Sequence, residues 1–406
     1  MLQIFKMAFR DLLRNKRRTI FSALALAMGL AILLFMAAFI NGELISSRES
    51  TIRLSSGHLQ VRAKEYNQNR NSLLWEDLIE NPMELAAQVS ALEVVETATP
   101  RLFASGLIFI GDKSEGVRVM GVDPDSSANA PYRDGLLEGE FLQADDRGGI
   151  LIGKPLAEKF DLQVGDDFAM LVNTSNGDVD EQRFIIRGIY STNTTSLDKA
   201  VVLMPLNKTQ AITQTDNHAS ILFVLLKDIE QTDAVAAALQ TSQYKVATWV
   251  EMNELLSLID EVYESFIYIL YLIVLGITAT VVINTLIMSV YERTREIGIL
   301  SAIGMNSRRI MVLFFAESGM IAVIGIFLGL IIGGIMVAYA TKYGFYFGDL
   351  GTTGMILGDV IYAKLKPDDA ITLTIMAFFV TLAAGVYPAI MAAKMEPVEA
   401  LRGGKA

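Results

Sequence analysis

The stretch YERTREIGILSAIGM, Tyr291 to Met305, lies between two long hydrophobic runs. A charged segment in that position, ending in Gly304 and followed by Arg308 and Arg309, cannot lie in lipid. It faces water where a membrane chain turns round. Glu292, Arg293, Arg295 and Glu296 open it, and Ile297, Ile299, Leu300 and Ile303 follow at helical spacing. The pattern predicts an amphipathic helix along the membrane surface, with its apolar face on the helix bundle and its polar end free for a partner. A juxtamembrane helix with no partner fits the same pattern.

The flanking runs belong to a set of four, about Thr19–Asn41, Tyr263–Val290, Met311–Ala340 and Ala370–Ala393. Each approaches or exceeds the roughly 20 apolar residues that cross a bilayer. The chain of 406 residues is 52% hydrophobic and its mean hydropathy is +0.40, values that suit a membrane protein with a sizeable aqueous part. The first run exceeds the roughly 7–15 residues of a cleaved signal core, so a retained signal anchor is expected. Without cysteine the chain has no disulfide framework and no acylatable lipobox residue.

Basic residues orient the layout. Lys6, Arg10, Arg14, Lys16, Arg17 and Arg18 precede the first run, Arg293, Arg295, Arg308 and Arg309 separate the second from the third, and Lys394, Arg402 and Lys405 follow the fourth. All three groups fall on one side of four spans, which the positive-inside rule makes cytoplasmic, with both termini inside. The expected organisation is a cytoplasmic amphipathic helix (1–18), span one (19–41), an extracytoplasmic domain (42–262), span two (263–290), the cytoplasmic turn helix (291–310), span three (311–340), an extracytoplasmic loop (341–369), span four (370–393) and a cytoplasmic tail (394–406). The fold class is thus a membrane α-helical chain in a 1+3 arrangement with a mixed α/β domain inserted after the first helix.

In the first segment, Ile4, Phe5, Ala8, Phe9, Leu12 and Leu13 recur at helical spacing opposite Lys6, Arg10 and Arg14, as in a helix lying on the inner leaflet or on the protein's own face. Within the large insertion, Gly57–Arg62, Gly148–Ile152, Asp167–Val172, Gln182–Tyr190, Val201–Met204 and Ile221–Leu226 read as strands. Asn176-Gly177-Asp178 reads as a hairpin turn. Helices are expected at Pro82–Ala91 with Asn81 as N-cap, near Pro155–Phe160, and at Thr232–Leu239. The net charge of −11 is concentrated here, since the cytoplasmic segments are basic; this argues against nucleic acid as a partner.

Catalytic signals are weak. The chain's two histidines, His58 and His218, have no ligand neighbours at metal spacing, and neither G-x-S-x-G nor G-x-x-x-x-G-K-[ST] occurs. Span three carries Gly325, Gly329 and Gly333, spaced for close helix approach either within the chain or between subunits. Glu317, two turns into the same span, needs a partner such as Arg308, Arg309 or another cytoplasmic basic residue. Glu264 is expected at the outer interface. Pro388 permits a kink in span four, and Pro397–Arg402 reads as a short helix.

Together, ERTREIGILSAIGM (Glu292–Met305), the glycine-rich third span and YPAIMAAKMEPVEALR (Tyr387–Arg402) resemble the MacB/FtsX/LolC–LolE family of ABC transporter permeases. EGEFLQADDRGGILIGKPLAEKFDLQVGDDFAML (Glu138–Leu171) is similar to part of that family's outer core domain. The resemblance implies a MacB-like periplasmic core domain, an inner-membrane location and no enzymatic activity on this chain. ATP and Mg would be bound by a partner ATPase dimer. It makes Glu292, Arg293, Arg295, Glu296, Ile297, Gly298, Leu300, Ala302 and Gly304 the coupling helix that meets the ATPase. It also implies a second permease copy or paralogue, and lipoprotein or other amphiphilic cargo entering from membrane lipid between spans one and two. Candidate lining residues there are Met28, Phe35, Met36, Phe266, Tyr268 and Leu270. Efflux of peptides or amphiphiles, as in MacB, and signalling to a cell-wall hydrolase, as in FtsX, remain alternatives.

Overall fold

A computed structural model describes residues 2–14, 16–67, 73–146, 148–346 and 360–395. The expected helix at Pro397–Arg402 and most of the 341–369 loop lie outside the described residues. Two compact units emerge, one of Met1–Leu44, Ile259–Phe345 and Ile361–Ala406, the other of Ile45–Leu258 and Tyr346–Val360.

Along the chain, α1 (Leu2–Arg14) and α2 (Lys16–Ser50) come first, and a π-helical turn, Thr51–Ser56, prolongs α2. There follow β1 (Leu59–Ala63), β2 (Ile79–Glu80), α3 (Pro82–Ser90) and a long hairpin of β3 (Val95–Ile110) and β4 (Lys113–Val122). Next are α4 (Ala130–Asp134), β5 (Leu136–Gly139), β6 (Gly149–Gly153) and α5 (Lys154–Phe160). A second hairpin, β7 (Asp167–Asn173) and β8 (Val179–Tyr190), leads to α6 (Thr195–Ala200), β9 (Val201–Pro205) and α7 (Leu206–Thr213). The insertion closes with β10 (His218–Ala219), β11 (Ile221–Leu226), α8 (Thr232–Leu239), β12 (Tyr244–Thr248) and α9 (Trp249–Met252). Four more helices follow, α10 (Glu254–Glu292), α11 (Thr294–Ala302), α12 (Ser307–Tyr343) and α13 (Pro367–Ala393).

The α/β unit is organised by one sheet of ten strands in the order β12-β1-β11-β3-β4-β9-β6-β8-β5, with β7 pairing both β3 and β8. That double pairing of β7 closes β3, β4, β9, β6, β8 and β7 into a ring. Inside it pack Leu102, Ile108, Val119, Ile150, Met170, Phe184 and Val202, capped by Leu156 and Phe160 of α5 and Ile212 of α7. β7 alternates between buried and partly exposed positions, as expected of a strand with one face on a core. β6, β9 and β11 are buried at every position, because both of their faces are covered.

Beyond β3, the strands β11, β1 and β12 carry apolar side chains on both faces. One face packs Val61, Val224 and Val246 against Val89 of α3 and Val235 of α8. The other packs Phe223, Ile221 and Phe103 beneath Leu54 and Tyr132. Asn81 does not cap α3 as expected. Its backbone is left-handed (φ 50°), no side-chain cap bond forms, and its Oδ1 instead accepts from Asn217 Nδ2 at 2.6 Å.

Among the described residues, four helices are long and apolar enough to cross a membrane, Lys16–Ser56, Ser265–Glu292, Ser307–Tyr343 and Pro367–Ala393; apart from the end of the first, they belong to the helical unit. Its core joins Leu26, Leu30 and Leu34 of α2, Tyr271 and Leu275 of α10, Ala322 of α12, and Leu373 and Ala377 of α13. The glycine stripe lies against α2 of the same chain. A Cβ at Gly325 would come within 2.7 Å of Leu26, one at Gly329 within 3.0 Å of the Ala27 carbonyl, and one at Gly333 within 2.9 Å of Leu34. Real Cβ atoms tolerate such distances poorly, so the small residues set the approach of the two helices. Pro388 is accommodated inside α13, which continues to Ala393.

Candidate functional site

α10 ends at Glu292, and Arg293 forms the joint to α11. It leaves the α-helical region (φ −104°, ψ 15°) while its carbonyl accepts from the Ile297 amide at 2.9 Å. α11 stops where Gly304 adopts φ 98°, a conformation that side chains disfavour. The Asn306 side chain then caps α12 by accepting from the Arg308 amide. The result is a short helix bounded at each end by a residue outside the α-helical region.

The joint is held by charge. The Arg293 side chain is 7% exposed, and its guanidinium donates from Nη2 to Asp11 at 2.5 Å, from Nη1 to Glu317 at 3.2 Å and from Nε to Glu296 at 3.3 Å. Its Cζ lies over the Phe314 ring at 5.5 Å. Three carboxylates from α1, α11 and α12 thus share one buried cation. Arg14 donates to both oxygens of Glu296, at 2.5 and 2.7 Å, and Arg18 pairs with Glu292 at 2.7 Å. The Arg14 hydrogen bonds, aided by Arg293 and opposed by partial burial, hold the Glu296 carboxyl below its ordinary range.

This arrangement divides the residues proposed for ATPase contact. Arg293, Ile297 and Gly298 are buried, and Ile297 packs with Val290, Ile310, Phe314 and Ala389. Arg295, Ala302 and Gly304 are exposed, whereas Glu296 and Leu300 are half-buried. Glu292 is exposed and tied to Arg18. The expected apolar face also needs correction. Ile297 lies on the bundle, but Ile299 is exposed and Ile303 is 80% exposed, because these two, four residues apart, share the face of α11 opposite Ile297. The partner of Glu317 is Arg293; Arg308 and Arg309 are exposed.

α1 rests on the bundle through Ala8, against Leu313 and Ala316, and Leu12, against Val282, Leu286 and Ile321. Phe9 and Leu13 remain exposed, so only part of the expected apolar face is used for packing. Asp11, buried on this otherwise basic helix, and Arg14 and Arg18 were not recognised as site residues. An acid placed among basic and apolar neighbours was the available signal.

The residues expected to line a cargo path are spread over different environments. Met28, Phe266 and Tyr268 are exposed on α2 and α10, and Met36 and Leu270 are half-buried. Phe35 is a packing residue, its ring edge-on to Phe345 at 5.7 Å and stacked near Phe39 at 6.2 Å. The side chain of Glu264 lies outside what is described.

A long apolar four-helix set, a charged turn helix between its members and a mixed α/β insertion define a multi-pass membrane protein. Residues 19–242 match the MacB-like periplasmic core domain and residues 268–397 the FtsX-like permease C-terminal domain. The chain belongs to the MacB/FtsX/LolC–LolE family of ABC transporter permeases. The lipoprotein-releasing system transmembrane protein LolE of Haemophilus influenzae is 22% identical over 94% of this chain and 93% of its own length. LolC of Xylella fastidiosa is 22% identical over 96% of both chains. The macrolide export ATP-binding/permease protein MacB of Campylobacter jejuni is 25% identical over 98% of this chain and 61% of its own length.

Proposed function

We propose that this chain is the membrane subunit of an inner-membrane ABC transporter that draws on a separate ATPase dimer, which binds ATP and Mg, to release lipoproteins from the membrane. The spans take a 1+3 arrangement with both termini cytoplasmic and the α/β unit outside. Two permease copies, identical or paralogous, assemble with the ATPase dimer, and cargo enters laterally between α2 and α10.

The observation that carries this reading is the geometry of α11. A turn helix fixed at one end by the buried Arg293–Asp11–Glu317 cluster and the half-buried Glu296 presents Ile299, Ile303 and Arg295 to water. A large aliphatic side chain that is 80% exposed on a rigid turn suits insertion into a partner's pocket, with nearby arginines to orient it. The roles in coupling divide accordingly. Arg295, Ile299, Ala302, Ile303 and Gly304 meet the ATPase, while Arg293, Glu296, Ile297 and Gly298 pass its movement to α1 and α12. The near full-length match to LolE and LolC supports lipoprotein release as the output.

The test is reconstitution of the permease with its ATPase and an acylated lipoprotein in proteoliposomes. Release to a soluble acceptor on adding ATP is expected. ATP hydrolysis with no release would refute the cargo assignment. The likeness to MacB supports a second reading, efflux of amphiphiles. Deletion that leaves lipoprotein sorting normal and sensitises cells to drugs or peptides would favour it.

A further inference from the structure

The α/β unit holds a cationic centre of its own. On the sheet face beneath Leu54, the side chains of Arg62 on β1, Arg101 on β3 and Arg118 on β4 line one cavity of about 50 Å³, and no carboxylate lines it among the described residues. That volume is several times the roughly 10–15 Å³ needed for one water. Arg101 is the unusual member. It is fully buried and stacks on Phe223, its Cζ 3.5 Å from the ring centroid. Nη1 donates to the Leu54 carbonyl at 3.2 Å, while Nε and Nη2 are buried with no partner among the described residues.

Those two unsatisfied groups form one edge of the guanidinium, the pair of parallel N–H donors that grips two oxygens of a carboxylate or phosphate. A buried cation with an empty bidentate edge is costly, and an orphaned donor pair of this kind calls for an acceptor that the described residues do not supply. Burial lowers the Arg101 pKa only to about 10, so the group is still charged at neutral pH. Arg62 is occupied, donating from Nε and Nη2 to Gln60 at 3.0 and 2.7 Å, and contributes field rather than a free edge. Arg118, over Phe103, is exposed.

We infer that this cavity is a binding site for a small oxyanion, a carboxylate or phosphate group held side-on by Nε and Nη2 of Arg101 within the positive field of Arg62 and Arg118. The site sits at a structurally strategic point. The carbonyl that takes the remaining Arg101 donor, Leu54, also accepts from the Tyr132 hydroxyl at 3.2 Å and belongs to the π-helical turn that ends α2. The bound anion would therefore stiffen the anchorage of that turn.

The experiment follows thermal unfolding of the full chain in detergent by tryptophan fluorescence, with acetate, phosphate or chloride added at constant ionic strength. Acetate or phosphate should raise the midpoint saturably, by about 3–5 °C at ten times the dissociation constant, and chloride should not. Whichever oxyanion acts identifies the group the site accepts. Arg101→Met should fold, since an apolar side chain replaces an unpaired charge, and should lose the oxyanion response. Arg118→Gln should weaken the oxyanion response several-fold. Equal shifts from all three salts, no shift from any, or an undiminished response in Arg101→Met would each overturn the site.

Discussion

Arg293 and Glu317 form a buried ion pair, Nη1 to Oε2 at 3.2 Å, between the α10–α11 joint and the third turn of α12. Each is unsupportable alone at that depth, and Asp11 completes the compensation from α1. The pair fixes the pivot about which α11 is held.

Removing one partner should therefore be worse than removing both. Arg293→Met leaves Asp11 and Glu317 facing each other without a cation and should lose about 3–5 kcal/mol of stability. Adding Asp11→Leu and Glu317→Leu should recover most of it, as a matched apolar cluster does. Unfolding midpoints of the single and triple variants in detergent measure this. A triple variant as unstable as the single one would show that geometry rather than charge sets the joint.

Ile303 should separate coupling from folding. It is 80% exposed and buries almost nothing within the chain. Ile303→Asp should change stability by no more than about 0.5 kcal/mol while abolishing permease-dependent ATP hydrolysis in the reconstituted complex. Glu296→Ala with Gly298→Ala should also reduce coupled hydrolysis with the protein still in the membrane. Full coupling in Ile303→Asp would remove the apolar docking role.

The Arg14–Glu296 contact predicts a pH dependence with a definite sign. The folded carboxyl sits below its ordinary value of 4.5, so its contribution is complete above that value and disappears as pH falls through the lower, folded pKa. The midpoint difference between wild type and Glu296→Gln should be constant from neutrality down to about pH 5 and vanish in stronger acid. The effect will be small because the Glu296 side chain is 45% exposed. A difference that grows on acidification would reverse the assignment.

Local signals made much of this molecule legible, and long-range ones did not. The β7–β8 hairpin followed from alternation around Asn176-Gly177-Asp178, and α11 from its helical spacing. Strand patterning predicts no element over Val95–Val122, where the structure has its longest hairpin among the described residues. Pro100 and Gly106 interrupt β3, and strand rules penalise both. Pro100 is tolerated opposite Leu222, and Gly106 lies where Met170 and Val117 leave no room for a side chain. The burial of Arg293 was equally hidden, since its partner Asp11 is 282 residues away. Nothing in ERTREIG distinguishes an arginine turned inward from one turned toward a partner.

The glycine stripe gives the sharpest control, because adjacent residues differ in what surrounds them. A side chain at Gly333 would meet Leu34 at 2.9 Å and the Ala31 backbone at 3.1 Å, whereas Gly334 has nothing within 4 Å. Gly333→Val should force α12 from α2 and destabilise the chain by about 1–3 kcal/mol. Gly334→Ala should be neutral or stabilise by up to about 1 kcal/mol through helix propensity alone. Both variants are expected in the membrane, with the unfolding midpoint of Gly333→Val in detergent below the wild-type value and that of Gly334→Ala at or above it. Were Gly333→Val to keep the wild-type midpoint but lose self-association, the stripe would act between subunits and its packing on α2 would be incidental.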